Sequence, residues 1–136
     1  MMTRPFFALL FLLLTLLGCS QAPYTNVDNN GLKELQAKGV PLYDIRRPEE
    51  WKQTGVIAGS RLLTFVDEKG QLKPDFIDRF SKEVAKDAPV VLICRTGNRT
   101  DFLARHLMEK MGYTKVFNVQ NGITDWLKAG LPVVAP

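Results

Sequence analysis

Four aliphatic residues in succession, Val90-Val91-Leu92-Ile93, constrain this chain more than any other feature. A run without a polar interruption cannot alternate between a wet and a dry face. It is the pattern of a strand buried on both sides, as at the centre of a parallel sheet. The residues after it are Cys94-Arg95-Thr96-Gly97-Asn98-Arg99-Thr100. They lead into a segment, 100–111, in which Leu103, Ala104, Leu107, Met108 and Met111 fall on one helical stripe. Gly112 stops that helix. Strand, tight loop and helix therefore follow one another within about two dozen residues.

The same alternation runs through the chain. Leu32 and Leu35 mark a short helix ending near Gly39. Val40 to Tyr43 forms an apolar strand before Asp44. Pro48 opens a helix over 49–53 with acids in its first turn. Residues 60–65 are expected as a strand and 67–70 as a turn. Residues 75–86 are amphipathic, with Phe76, Ile77, Phe80 and Val84 on one face. A last strand covers 116–119 and a last helix 123–128, closed by Gly130. This order predicts an α/β domain: a central, mostly parallel sheet with helices on both faces, in three layers.

Composition narrows the function classes. The chain has 136 residues and a formal charge of +4. Removing residues 1–18 takes away only Arg4 and leaves roughly +3. That surplus is too small, and too evenly spread, to argue nucleic acid. Two cysteines, Cys19 and Cys94, and one histidine, His106, exclude a disulfide framework and provide too few soft ligands for structural zinc. Nothing in the sequence calls for a metal or a cofactor.

The N-terminus has its own logic. Arg4 precedes an apolar run from Pro5 to Leu17. The run falls short of the ~20 residues that span a bilayer, and has the form of a secretory signal. Gly18-Cys19 at its end resembles the lipobox of bacterial lipoproteins. The resemblance implies a signal peptide over 1–18, a lipidated Cys19, and a flexible tether over 19–30 ahead of a domain at 31–136. It further implies a bacterial envelope location facing the periplasm, with membrane contact through the lipid. Ser20 leans the choice toward the outer membrane.

Cys94 is the candidate nucleophile. A loop leaving the carboxyl end of a central strand stands where open α/β sheets bind ligands. Successive backbone N–H groups in such a loop form an anion nest, and the following helix adds its positive end. Arg95 and Arg99 add cationic charge. All three favour a thiolate, which attacks without a general base. Gly97 permits a backbone angle that other residues resist.

Residues 31–135 resemble a single-domain rhodanese. The loop from Cys94 to Thr100 matches that family's Cys-Arg-x-Gly-x-Arg-[Ser/Thr] pattern. Asp44-Ile45-Arg46 matches its Asp-x-Arg motif. Glu50-Trp51 and Gly55-Val56-Ile57-Ala58-Gly59-Ser60 resemble its second signature, with Val56 where His is frequent and Ser60 where Ala is. Asn121 to Trp126 and Gly130 to Val133 resemble its closing motifs. The resemblance implies a sulfurtransferase of the thiosulfate type, moving sulfane sulfur from thiosulfate or polysulfide to a thiol through a Cys94 persulfide. It implies substrate contacts from Arg95, Thr96, Gly97, Asn98, Arg99 and Thr100, and a structural pair in Asp44 and Arg46. The partners would be a small anionic sulfur donor and a thiol or protein acceptor.

Alternatives stay open at this point. A sulfur-carrier or binding module would keep the loop but not turn over. A phosphatase or arsenate reductase of related architecture would place one more residue between Cys94 and Arg99. A redox sensor would use the same thiol, though no resolving cysteine accompanies it. His106 falls off the apolar stripe and is expected in solvent. Trp51 and Trp126 are expected to pack in the core or at its rim.

Overall fold

The computed structural model describes residues 21–136. The signal segment and Cys19 lie outside the described residues. The order of elements is β1 (Thr25–Val27), α1 (Asn29–Ala37), β2 (Leu42–Asp44), α2 (Pro48–Thr54), β3 (Arg61–Leu62), α3 (Phe76–Glu83), β4 (Val90–Ile93), α4 (Asn98–Lys110), β5 (Val116–Val119) and α5 (Gly122–Lys128). The five strands form one sheet in the order β1-β5-β4-β2-β3. Every strand pair is parallel.

The aliphatic run is the middle strand, and all four of its residues are buried. Its side chains divide between two cores, as the two-residue period of a strand requires. Val90 and Leu92 join Tyr43, Phe76, Phe80, Leu103, Leu107 and Val116 beneath α3 and α4. Val91 and Ile93 join Leu32, Leu42, Val119, Ile123 and Trp126 beneath α1 and α5. That is the three-layer α/β arrangement expected from the alternation. Each fully enclosed aliphatic or aromatic side chain stabilises the fold by about 1.5–3 kcal/mol.

Among the boundaries that differ from the sequence reading, three matter most. Residues 25–30, expected in a flexible tether, belong to the fold. β1 pairs with β5 in register Thr25 with Phe117 and Val27 with Val119, and the Asp28 carboxylate caps α1 through the Gly31 N–H. Tyr24 adds a staple, its hydroxyl donating to Asp101 on α4 while Arg105 lies over its ring. A polar edge strand such as Thr-Asn-Val carries no hydrophobic run to announce it. Its stability comes from the backbone partner already in place on β5.

β3 is the second difference, with only Arg61 and Leu62 where 60–65 was expected. The chain beyond still bonds to the sheet end, Leu63 N–H to Asp44 and Phe65 N–H to Ile45. Third, α4 begins at Asn98, two residues earlier than its apolar stripe suggested. Gly97 caps it in the left-handed region at φ 98°, where a β-carbon would be strained. The helix therefore starts directly against the cysteine loop. No helix among the described residues is long and apolar enough to cross a membrane.

Candidate active site

Cys94 follows the last residue of β4, so its thiol sits at the carboxyl end of the central strand. It is a free thiol, and only 1% of its surface is exposed. The Gly97 N–H donates to Sγ at 3.1 Å. The Thr100 hydroxyl lies 3.4 Å from Sγ and also reaches the Gly97 carbonyl at 3.1 Å. Of the successive backbone N–H groups expected around the sulfur, that of Gly97 bonds to it, with the Thr100 hydroxyl beside it at the start of a 13-residue helix. The Gly97 N–H favours negative charge on sulfur; the Thr100 hydroxyl directs its one proton to the Gly97 carbonyl and serves a thiolate by turning that proton to Sγ.

The other loop residues divide by exposure. Arg95, Thr96 and Asn98 are exposed at the mouth, whereas Gly97 and Thr100 are buried. The Arg95 guanidinium has no hydrogen-bond or ion-pair partner among the described residues, so it is free to meet an anion. Arg99 is different. Its two terminal nitrogens grip the Glu50 carboxylate at 2.7 and 2.8 Å. The hydrogen bonds it donates to Glu50 raise the Arg99 pKa further above its ordinary value; burial opposes this, and the charges of Glu50 and of Cys94 add to the rise. Arg99 was expected to contact substrate; its charged end is bonded to Glu50, in the wall of the groove over the loop. A fork-shaped guanidinium meeting a carboxylate on both prongs is the strong form of this interaction.

Glu50 itself is held by several groups. Burial alone would push its carboxyl up, but the Arg99 hydrogen bond, the Arg47 N–H and both guanidinium charges outweigh that and hold it at about 2. The Arg47 N–H donates to Glu50 Oε2 at 3.0 Å. Behind Glu50 lies the Asp44–Arg46 pair at the end of β2, both residues fully buried. Arg46 binds the Asp44 carboxylate through Nη2 at 2.7 Å and Nε at 2.9 Å. Its remaining N–H groups go to Thr54 Oγ1 at 2.9 Å, the Gly55 carbonyl at 3.1 Å and the Glu50 carbonyl at 3.4 Å. This is the structural pair expected from the motif, and it ties α2 to the sheet.

The sequence reading did not single out the contacts that hold the loop from the opposite side. The Ile123 N–H bonds to the Cys94 carbonyl at 2.9 Å, and the Thr124 N–H and hydroxyl both reach the Arg95 carbonyl, at 3.1 and 2.8 Å. Gly122 makes room for this clasp. A β-carbon there would lie 2.5 Å from the Arg95 and Cys94 carbonyl oxygens, and its φ is +59°. In the sequence these residues stood out only as part of the closing motif and as an Asn121-Gly122 dipeptide, which marks a turn without saying what it turns against.

A groove of about 740 Å³ opens over the loop. Arg95, Asn98, Arg99 and Phe102 line one side, and Val66 to Gly70 with Arg47 line the other. Residues 66–70, which include the turn expected at 67–70, are therefore one wall of this groove. An Asp67 carboxylate oxygen fixes its turn by accepting the Lys69 and Gln71 N–H groups at 2.8 and 2.9 Å. A second cavity, about 710 Å³, lies beyond the same segment beside Trp51, Lys73 and Arg79, away from the cysteine loop. Trp126 is buried and its indole N–H donates to the Pro132 carbonyl at 2.9 Å. His106 is exposed on α4, as the stripe implied.

The chain is similar in sequence and fold to known proteins. The sequence model of one family, the Rhodanese-like domain, matches residues 28–129. A protein of Allochromatium vinosum named "Sulfurtransferase" is 36% identical over 112 residues, which cover 81% of this chain and 94% of that protein. "Thiosulfate sulfurtransferase GlpE" of Tolumonas auensis is 28% identical over 92 residues, covering 68% of this chain and 76% of that one. Among solved structures, a rhodanese-related protein from Thermoplasma volcanium superposes with a TM-score of 0.63 at 26% identity, covering 83% of this chain and all of that one.

Proposed function

Because the chain belongs to the rhodanese-like family of sulfurtransferase relatives, we propose that it transfers sulfane sulfur from an anionic donor to a thiol through a persulfide on Cys94. The observation that carries this reading is the thiol at the end of β4, enclosed and bonded by the Gly97 N–H and the Thr100 hydroxyl. Thiosulfate enters the groove and pairs with Arg95, the loop guanidinium left free. The Cys94 thiolate attacks the outer sulfur, the S–S bond breaks, and sulfite leaves with the bonding electrons. An acceptor thiolate then attacks the outer sulfur of the Cys94 persulfide. The acceptor becomes a persulfide and the Cys94 thiolate is restored.

The test is intact mass of the full chain after incubation with thiosulfate or polysulfide, beside Cys94→Ala. A gain of one sulfur atom, reversed by a thiol and lost in the variant, is the expected result. No gain from either donor would sink the reading. The groove favours a refinement. It is far larger than thiosulfate requires, and Phe102, 65% exposed, stands on its rim. Both features suit a bulky thiol, including one carried by a protein, over a small ion as acceptor.

For location, we propose an envelope lipoprotein anchored at Cys19, on the strength of residues 1–19 alone. Detergent partitioning of the mature protein tests this. Cys19→Ala should release it into the aqueous phase, and an unchanged distribution would remove the anchor.

A further inference from the structure

Arg99 lies in the first turn of the helix that follows the cysteine loop, and its charged end is bonded to Glu50 on α2. Both partners of its ion pair are mostly enclosed, with side-chain exposures of 24% for Arg99 and 11% for Glu50. An exposed pair would contribute little. This one is two-pronged, and its carboxylate is itself fixed by the Arg47 N–H. The Glu50 carbonyl also receives Arg46 and Thr54. Glu50 thus joins the buried end of β2 to the start of α4, and it does so without touching the sulfur.

We propose that Glu50 is a positioning residue for the reaction: through Arg99 it holds the start of α4, and with it the Gly97 and Thr100 donors, closed around Cys94. This rests on the sulfur-transfer reading above. The clasp from Ile123 and Thr124 holds the two carbonyls at the beginning of the loop. Glu50 holds its end. A loop fixed at one end only keeps the strand-side geometry and loses the donors on the sulfur. The thiol then becomes easier to reach and worse at transfer, because misplacement of even an ångström is costly to a positioned reaction.

The experiment uses the full chain with Glu50→Gln, Glu50→Asp, Arg99→Lys and the double variant Glu50→Gln/Arg99→Lys. Two rates are read at Cys94: persulfide formation from thiosulfate, resolved into its saturating rate and KM, and site-resolved alkylation by iodoacetamide without any donor. Glu50→Gln should lower the saturating rate about ten-fold, move KM by less than about three-fold, and speed alkylation several-fold. Glu50→Asp, which keeps the charge but shortens the reach, should fall between. On Arg99→Lys, Glu50→Gln should add less than about two-fold, because the two act as one unit. A full saturating rate in Glu50→Gln, or a loss that adds undiminished to that of Arg99→Lys, overturns the proposal. Should Glu50→Gln not fold, the same readings on Glu50→Asp decide. Should the unaltered protein take up no sulfur, the sulfur-transfer reading fails, and unchanged alkylation in Glu50→Gln then overturns the positioning role separately.

Discussion

Arg95 and Arg46 carry the same guanidinium near the same end of the sheet, and their surroundings have almost nothing in common. Arg95 stands exposed at the mouth of the cysteine loop with no partner among the described residues. Arg46 is the largest fully buried side chain there, and its N–H groups are taken up by Asp44, Thr54, Gly55 and Glu50. The mouth keeps a charge available by leaving it in water, where an unpaired cation costs little. The region behind it removes two charges from water, and that is tolerable only with near-complete pairing. The lesson is a division of labour. The loop in front can exchange partners because the network behind cannot.

That contrast can be broken most severely at the sulfur. Cys94→Ser should reduce sulfur transfer by at least roughly a thousand-fold, since loss of a covalent nucleophile leaves only binding and positioning. Its urea midpoint should stay close to that of the unaltered protein. A matching collapse in stability would mean that the two regions are not separable. Next comes the buried network. Arg46→Ala strands the Asp44 carboxylate in a site without water and should cost about 3–5 kcal/mol in urea unfolding.

Gly122→Ala tests whether the backbone clasp belongs with the loop or with the network. A methyl forced against the Cys94 and Arg95 carbonyls should cost about 1–3 kcal/mol, and transfer should fall with it. Normal transfer in a destabilised variant would assign the clasp to folding alone. Arg95→Ala should have a smaller, purely functional effect. KM for thiosulfate should rise roughly ten-fold with little change in the saturating rate or in stability, because one charge-assisted contact is removed from the mouth.

The smallest effect concerns acid. The Glu50 carboxyl lies at about 2 in the fold, against an ordinary 4.5. A carboxyl depressed in this way contributes stability that is complete above its ordinary value and is lost as pH falls toward 2. Glu50→Gln should therefore narrow the decline in stability between about pH 5 and pH 2, measured by urea unfolding across that range. An identical decline in both proteins would mean that other carboxylates govern it.

Much of this division was legible in the chain. Val90 to Ile93 could only be a doubly buried strand, and that fixed where Cys94 would emerge. The stripe of Leu103, Ala104 and Leu107 fixed the helix that follows. The Asp44-Ile45-Arg46 motif implied a pair through its resemblance to the family's Asp-x-Arg motif. The limits came where stability depends on a partner distant in sequence. Thr25 to Val27 has no apolar pattern, and becomes a strand only because β5 offers an open edge.

The sequence by itself determined the fold class, the buried centre of the sheet, and where the candidate thiol and its loop stand, because each is written in local pattern: period, glycine position, and the order of one short segment. Tertiary structure alone decided which arginine meets the solvent. Arg95 and Arg99 are alike as residues and stand four apart, yet only Arg99 finds Glu50, 49 positions away in the chain. Local rules cannot rank two identical guanidinium groups. The choice is made when the chain brings a carboxylate within reach of one and leaves the other in water.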